Sequence, residues 1–338
     1  MTHEPWSVAG VDLIKGRDNM KKLRSLIYRL FKKSPDFIYF NLTYLRLHGR
    51  PCNFSAPKSV SEKIFYRMRY PHPCFSTLAD KVAVRSYIRE RAGEQYLVPF
   101  IGVYDTITER ELSRIQEPFV IKANHSAGQV KVVKKPWHTD MMALACEANQ
   151  WLNHDYAGLH REKHYRAIKP QLVIEKALLI DGDVPADYKV LVLNNGDEQE
   201  IYIQLIAGRF SDIRCQFFTE DWQVAPFNRR GYKPLKGEEL KAPACLEEMI
   251  QVAKALSEPF GFCRVDFFVV GERCYVGELT FTPVAGEFVL DPISADIELG
   301  RKIGFPENID LTRPARSAVR VPAPTPTATA AAVEREPA

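Results

Sequence analysis

Apolar and polar positions along this chain follow two periods, that of helices and that of strands. Helical spacing predicts helices over residues 20–33, 59–69, 80–92, 141–152 and 243–258. Runs rich in β-branched and aromatic residues predict strands at residues 119–122, 130–133, 172–175, 188–193 and 201–206. Because strands and helices mix without a regular βαβ alternation, the predicted fold class is α+β.

Residues 264–283 predict a β-hairpin whose charged positions are the most informative in the chain. A short loop at residues 271–273, with a glycine available for positive φ, would place Asp266 opposite Glu278. Directly opposed side chains lie about 5 Å apart at Cβ, and two carboxylates there repel each other. A hard cation between them would make the pair tolerable.

Oxygen-only ligands of this kind suit Mg²⁺, which usually takes further oxygens from water and phosphate. Thr280 continues the same strand face, and Arg264 would lie opposite Thr280, placed to meet a phosphate. The alternative is an ordinary exposed carboxylate at a strand end. A two-residue loop would favour that alternative, because the shift would send Glu278 to the other face.

Charge is unevenly distributed along the 338 residues. The chain has 46 basic and 42 acidic residues, a formal net charge of +4. Residues 15–33 alone hold eight basic residues and one acidic residue, a local net charge of +7. This pattern favours a local contact with an anionic surface over nucleic-acid binding by the whole protein. Residues 20–33 predict a basic amphipathic helix, which contacts an anionic membrane peripherally, docks a partner, or packs on the domain with a solvated basic face.

The seven cysteines include no C-x-x-C pair, which is typical of a reduced, cytoplasmic chain. The sequence shows no secretory signal and no apolar run near 18 residues. From residue 314 the chain is rich in proline, alanine and threonine without periodicity, which predicts a disordered tail over residues 314–338.

Nucleotide-binding and hydrolase motifs of the common kinds are missing from the sequence. There is no Walker P-loop, no G-x-G and no nucleophile elbow. Residues 120–128 form a different kind of candidate phosphate-binding site, in which Lys122 ends a strand and a small polar loop follows. Taken alone, such a lysine is usually solvated.

Two further constellations stay open from the residues alone. Asp187 and Lys189 share one strand face, either as an ordinary surface pair or with the lysine toward a phosphate. His160 and His164 are spaced for one helix face, but the charges between them favour a solvated helix over a metal site.

Taken in order, these pieces resemble the ATP-grasp superfamily, and more closely its TupA-like branch, which is associated with cell-envelope polysaccharide and teichuronopeptide synthesis. The matching stretches lie within residues 57–290. They are Leu78–Lys81 with Val84 and Arg85; Tyr96–Pro99; Phe119–His125; Trp151 and Leu152 with Glu162 and Tyr165; Val173–Glu175; Asp187–Lys189; Arg264–Asp266; and Gly277–Thr280.

The resemblance implies an ATP-grasp fold, in which two α+β subdomains clasp ATP, preceded by an N-terminal helical and α/β region. The implied units are a basic helix and aromatic-rich segment (1–78), an α/β region (79–118), a lid subdomain (119–178), a metal-binding subdomain (179–313) and the tail.

The resemblance also implies roles for residues at the matching positions, with ATP and Mg²⁺ as cofactors. Lys122, Lys189 and Arg264 would be catalytic through charge. The nucleotide contacts would be Lys81, Lys122, Asn124, His125, Ser126, Gly128, Glu175, Lys176, Leu178, Asp183 and Lys189, with Asp181 as an alternative to Asp183 at the ribose. Asp266, Glu278 and Thr280 would hold the metal ion.

Two positions depart from the family pattern. The loop contains His-Ser-Ala-Gly at residues 125–128 where this branch more often has His-Gly-Ser-Gly, so close approach of its backbone to a phosphate is harder. Thr280 stands where many ATP-grasp enzymes have Asn, although threonine is still an oxygen ligand and is usual in this branch.

The function implied is that of an ATP-dependent carboxylate–amine ligase that forms an amide through an acyl phosphate. Its substrates would be an amine donor and a carboxylate on an envelope polysaccharide, its precursor or an amino acid. Two alternatives are a sugar kinase-like phosphotransferase and a non-catalytic nucleotide- or glycan-binding module. The predicted location is the cytoplasm, with peripheral contact at the inner face of the membrane.

Overall fold

The computed structural model describes residue 31, residues 33–207 and residues 212–312, without the side chains of residues 238 and 239. Its helices are α1 Asp36–His48, α2 Val60–Arg69, α3 Cys74–Ala79, α4 Val84–Arg91, α5 Glu109–Leu112, α6 Met141–Trp151, α7 Tyr156–His160, α8 Leu246–Ser257 and α9 Ser294–Arg301. The predicted tail, and nearly all of the predicted basic helix at residues 20–33, lie outside the described residues.

The strands form three antiparallel sheets, which agrees with the predicted α+β class. They are β1 Phe100–Tyr104, β2 Phe119–Ala123, β3 Val130–Val133, β4 Leu172–Lys176, β5 Asp187–Asn194, β6 Gln199–Ala207, β7 Arg214–Thr219, β8 Asn228–Arg229, β9 Phe262–Val270, β10 Arg273–Thr280 and β11 Leu290–Asp291.

The larger sheet has the order β10-β9-β5-β6-β7 and is covered on both faces. Val190 and Val265 point to one face and share a core with helix α8, through Met249. Leu191 on the other face shares a second core with helices α1, α2 and α9, which includes Phe65. The aromatic-rich N-terminal segment is therefore part of the packing of this sheet.

The smaller sheet has the order β1-β4-β2-β3 and carries the loop that follows Lys122. Helix α6 packs on it through Leu144, which shares a core with Ile121 and Ile174. Strand β1 belongs to this sheet, pairing with β4, although it lies in the preceding region 79–118 of the sequence. Two shorter strands, β8 and β11, form the third sheet.

The hairpin of β9 and β10 corrects the predicted loop but keeps the predicted pairing. Arg273 pairs with Val270, so the loop has two residues rather than three. That shift alone would place Glu278 on the sheet face opposite to that of Asp266. A bulge between Val276 and Glu278, however, inserts one extra residue, Gly277. Glu278 is thereby returned to its place opposite Asp266.

The predicted shared helix face for His160 and His164 is wrong. Helix α7 ends at His160, and the next residue, Arg161, has a left-handed backbone with φ +58°. His164 instead lies in a 3₁₀ turn and is buried against the ring of Phe75. Among the described residues, no helix is long and apolar enough to cross a membrane.

Candidate functional site

Charged side chains from three neighbouring strands meet on one face of the larger sheet. Lys189 on β5 lies opposite Asp266 on β9, and Asp266 lies opposite Glu278 on β10. The ammonium of Lys189 is 2.6 Å from Asp266 Oδ2 and 2.7 Å from Asp187 Oδ2. Strand alternation explains this cluster, because Asp187 and Lys189 stand two positions apart and so share a face.

Arg264 completes the cluster. Its guanidinium donates to both oxygens of Asp266, at 2.6 and 2.7 Å, and to Thr280 Oγ1 at 3.1 Å. The same group is 3.4 Å from Glu278 Oε1. The predicted placement of Arg264 opposite Thr280 is confirmed by the strand register.

Electrostatics hold Asp266 in its charged form. Burial by itself would raise the pKa of Asp266, but the cations of Arg264 and Lys189 outweigh burial, and the pKa lies below its usual value. Burial likewise opposes the charge of Arg264, yet Asp266 raises the pKa of this guanidinium above its ordinary value. The cluster is thus an anion held by two cations, with Glu278 at its more exposed edge.

A second charged cluster lies on the smaller sheet. The ammonium of Lys122 is 2.5 Å from Glu175 Oε2, and Arg85 Nη1 is 3.1 Å from Glu175 Oε1. All three side chains are largely buried. Strand β2 lies beside β4, which brings Lys122 and Glu175, both predicted nucleotide contacts, into direct contact.

The loop at residues 124–128 is anchored from both sides. Asn124 is fully buried, and its side chain binds Asp80 Oδ1 and the backbone at Lys169 and Gln171. Asn124 therefore acts in the structure as a loop anchor. Gly128 has φ +95°, a left-handed conformation that favours glycine.

Ser126 and His125 are the loop side chains most suited to further contacts. The hydroxyl of Ser126 is buried and makes no hydrogen bond to the described residues. Burial lowers the pKa of His125, so the imidazole is neutral at physiological pH. A buried hydroxyl without a partner is the kind of group that a bound ligand satisfies.

Lys81 connects the two clusters. Its ammonium donates to the carbonyl oxygen of Ser126 at 2.6 Å. Burial lowers the pKa of Lys81, and the charges of Glu278 and Lys122 both act on it, the first raising and the second lowering the pKa. Residues from the larger sheet, the smaller sheet and the loop therefore face a common region.

Three predicted nucleotide contacts lie apart from these clusters. Asp183 is exposed and pairs with Lys134 at 2.5 Å, in a turn where Asp181 has φ +51°. Lys176 pairs with Glu117 at 2.7 Å on the surface. Leu178 follows strand β4 and is half-buried.

Glu162 is a buried carboxyl group to which the sequence analysis assigned no role. Thr282 Oγ1 donates to its Oε1, and the hydroxyl of Tyr156 lies beside it. Burial raises the pKa of Glu162 to about 7, and the charges of Glu278 and Arg264 also act on it. The sequence feature that could have identified Glu162 is its position in a stretch that resembles the family.

Asp187 and Arg85 are the other charged residues of these clusters that had no assigned role. Both stood within the matching stretches. Asp187 pairs with Lys189, as their shared strand face allows, and this lysine also binds Asp266. Arg85 pairs with Glu175 about ninety positions away, a contact that arises from the packing of helix α4 beside strand β4 rather than from a local motif.

The donor set on the larger sheet fits magnesium in chemistry. Asp266, Glu278 and Thr280 supply oxygen only, and Mg²⁺ takes few protein carboxylates together with water and phosphate. Among the described residues, no group of three or more His, Cys, Asp and Glu side chains gathers for a metal ion.

A polar cavity of about 470 Å³ lies at the other end of strand β5, beside Asn194 and Gly261. The side-chain amide of Asn194 donates there to the carbonyl oxygen of Glu258 and accepts a hydrogen bond from the backbone N–H of Gly196. None of the predicted site residues lines this cavity. We therefore do not assign it to the nucleotide.

Comparison with known families defines the class of protein. Residues 62–304, more than two thirds of the chain, match the family described as TupA-like ATPgrasp. With its antiparallel sheets and helices, the protein is an α+β ATP-grasp protein. Within that class, the chain belongs to the TupA-like ATP-grasp family, which confirms the resemblance drawn from the sequence. No match was found among curated proteins.

Solved structures with similarity to the chain include three ligases and synthetases. D-alanine–D-alanine ligase from Helicobacter pylori is 14% identical over 69% of this chain and 60% of its own, with a TM-score of 0.37. The enzyme from Bacillus anthracis is 17% identical over 77% and 72%, with a TM-score of 0.38. N5-carboxyaminoimidazole ribonucleotide synthetase from Thermus thermophilus is 15% identical over 73% and 53%, with a TM-score of 0.34.

Proposed function

We propose that this protein is an ATP-dependent carboxylate–amine ligase that uses Mg²⁺. The observation that carries the proposal is the pairing of Asp266 with Glu278 beside Arg264 and Lys189 on one sheet face. Family membership supports ATP as the nucleotide.

In this proposal, phosphate recognition falls to lysines from both sheets. Lys122 and Lys189 bind ATP phosphates, Lys81 approaches from between them, and the loop at residues 124–128 closes over the phosphates. The carboxylates that now pair with Lys122 and Lys189 hold these ammonium groups in position. The segment 175–178 receives the adenine, and Asp183 the ribose.

Asp266, Glu278 and Thr280 would hold the magnesium ion. When bound, the ion neutralises charge on the nucleotide phosphates. Arg264 at present bridges Asp266, Glu278 and Thr280, and its guanidinium is placed to bind the phosphoryl group in transfer.

The chemistry proposed has two steps. A substrate carboxylate oxygen attacks the γ-phosphorus of ATP, the bond to the β-phosphate oxygen breaks, and an acyl phosphate and ADP form. The amine nitrogen then attacks the acyl carbon, the bond to the phosphate oxygen breaks, and an amide, inorganic phosphate and a proton result. In-line phosphoryl transfer depends on positioning and charge neutralisation, which these cations supply.

For the substrate, we propose a carboxylate on a cell-envelope polysaccharide or its precursor. The family association supports this assignment. A screen of uronic acids and amino acids for ADP release with an added amine tests it, with amide formation as the expected result. Phosphate retained in the product, with no amide, would identify a kinase instead.

We also propose that the enzyme works in the cytoplasm, with residues 20–33 in contact with anionic membrane. Their basic composition supports this location. Deletion of residues 1–33 is expected to remove the protein from the membrane fraction while leaving ATP binding intact. Unchanged fractionation would contradict the proposal.

Calorimetric titration with ATP tests the nucleotide site. The wild type is expected to bind ATP with a micromolar dissociation constant, about −8 kcal/mol, only when Mg²⁺ is present. Asp266→Asn with Glu278→Gln is expected to lose this Mg²⁺-dependent binding, because the two charged oxygen ligands are lost. The matched control, Asp197→Asn with Glu272→Gln, removes two exposed loop carboxylates and should bind as the wild type does. Absent binding by a folded wild type would overturn the proposal.

A further inference from the structure

Helix α1 presents an apolar face to solvent. Its exposed positions are Phe37, Ile38, Leu42, Leu45 and Arg46, so four of the five are large and apolar. Phe37 is 59% exposed, and the other three are between 44 and 48% exposed. At 3.6 residues per turn, these four side chains fall within an arc of about 140°.

The core does not need this face. Other residues of α1 are already buried, namely Tyr39, Phe40, Thr43, Tyr44 and His48. Those aromatic rings pack with helix α2 and the larger sheet. A helix with apolar residues on both sides indicates a second surface that covers the outer one.

The chain next to this face is strongly basic. Residues 15–33 carry a net charge of +7 and lead directly to the N-terminal end of α1, where Phe37 and Ile38 lie. Lys33 is exposed at this junction. An acidic residue in the first turn of α1, Asp36, pairs with Arg161 and Lys163, both at 2.6 Å, so its charge is compensated.

We propose that the outer face of α1, formed by Phe37, Ile38, Leu42 and Leu45, docks on an anionic lipid bilayer. Apolar side chains flanked by basic ones are the combination by which a helix lies in a membrane interface. Two signals together give stable attachment, because apolar insertion adds to the attraction of basic residues for anionic headgroups.

This surface is joined to the candidate site. Arg161 binds Asp36 and stacks over the ring of Tyr39 at 4.5 Å, and the next residue, Glu162, lies buried near Arg264. Docking through α1 would therefore act on a helix that is linked to the site through Arg161 and Glu162. The inference itself does not rest on the proposed ligase activity, since it concerns lipid binding alone.

Vesicle flotation of the full chain tests the inference without ATP. The wild type is expected to float with vesicles of phosphatidylcholine and phosphatidylglycerol, to bind pure phosphatidylcholine vesicles far less, and to be released by high salt. Leu42→Glu with Leu45→Glu should weaken binding to the anionic vesicles about tenfold or more, because apolar insertion is replaced by repulsion. The matched control, Met142→Glu with Val224→Glu, adds the same charge at exposed apolar positions elsewhere and should bind as the wild type does.

Each contrary result has a definite meaning. If the wild type does not float with anionic vesicles, or if the α1 variant floats as well as the wild type, the inference is overturned. A dimer in sedimentation that the α1 variant dissociates, without vesicle binding, would assign the face to a second copy of the chain. Should the glutamate variant melt at a lower temperature, Ile38→Gln with Leu42→Gln provides an uncharged substitution that must also weaken vesicle binding.

Discussion

At the scale of single residues, the site is defined by buried charges whose partners come from distant parts of the chain. Asp266 is held by Arg264, two positions away, but also by Lys189, 77 positions away. At Glu162, by contrast, burial is the largest effect on ionisation, ahead of the hydroxyl groups of Thr282 and Tyr156 and the charges of Glu278 and Arg264. These two carboxyl groups consequently respond to pH in opposite ways.

Glu162→Gln is expected to stabilise the protein above neutral pH. The folded-state pKa of Glu162 is about 7, raised from 4.5, so the wild type loses stability as pH rises from 4.5 to 7 and loses no more above that. Glutamine does not titrate, so the difference in unfolding free energy between Glu162→Gln and the wild type should grow over this interval and reach about 3 kcal/mol at pH 8.

Guanidinium unfolding at several pH values measures that difference. Glu272→Gln, which alters an exposed glutamate, serves as the control. The difference in unfolding free energy between this variant and the wild type should not grow with pH. If the difference between Glu162→Gln and the wild type stays constant from pH 4.5 to 8, the carboxyl group is not held in its protonated form.

At the scale of elements, the β9–β10 hairpin shows how a local irregularity controls the site. The bulge at Gly277 restores Glu278 to the face of Asp266 after a two-residue loop has shifted the strand. Space also favours glycine there, because an added Cβ would lie 2.9 Å from Phe268 Cε2. The ring edge of Phe268 thus occupies the room that a side chain would need.

Gly277→Ala is therefore expected to lower the unfolding free energy by about 1–3 kcal/mol, the usual cost of overpacking. Combining it with Phe268→Leu should recover most of the loss attributable to the clash, which a double-mutant cycle in denaturant measures. Additive losses in the two single variants would show that the ring and the added methyl group do not meet.

At the scale of the whole molecule, Arg67 ties the N-terminal helices to the larger sheet and to the C-terminal part of the described chain. Its guanidinium donates to the carbonyl oxygens of Phe262 and Phe281, at 2.8 and 3.1 Å, and binds both oxygens of Glu307. It also contacts the ring of Phe75 at 5.2 Å. Side chains at both ends of the ion pair are almost fully buried.

Arg67→Met is expected to lower the unfolding free energy by about 3–5 kcal/mol, because it leaves the buried carboxylate of Glu307 without its cation and removes the donor to two carbonyl oxygens. Chemical denaturation followed by circular dichroism measures the loss. The double variant Arg67→Met with Glu307→Leu should regain part of it, since the unpaired charge is removed. A double variant no more stable than Arg67→Met would assign the loss to the carbonyl oxygens alone.

Sequence patterns alone predicted the α+β class, four of the nine α-helices in the described residues, most of the strands there, and the residues that meet on the larger sheet. These follow from periodicity and strand alternation, which depend on neighbours a few positions apart. The pairing of Asp266 with Glu278 was predicted correctly, but by way of a three-residue loop that the structure replaces with a shorter loop and a bulge.

Which distant groups share a buried environment became visible only in the tertiary structure. Glu162 meets Thr282 across 120 positions, and Arg67 meets Glu307 across 240. The tertiary structure also decided that one side of α1 stays exposed while the other is buried, although both sides are apolar in sequence. The physical reason is that burial and the ionisation it controls depend on which surfaces pack together, and local periodicity does not encode that packing.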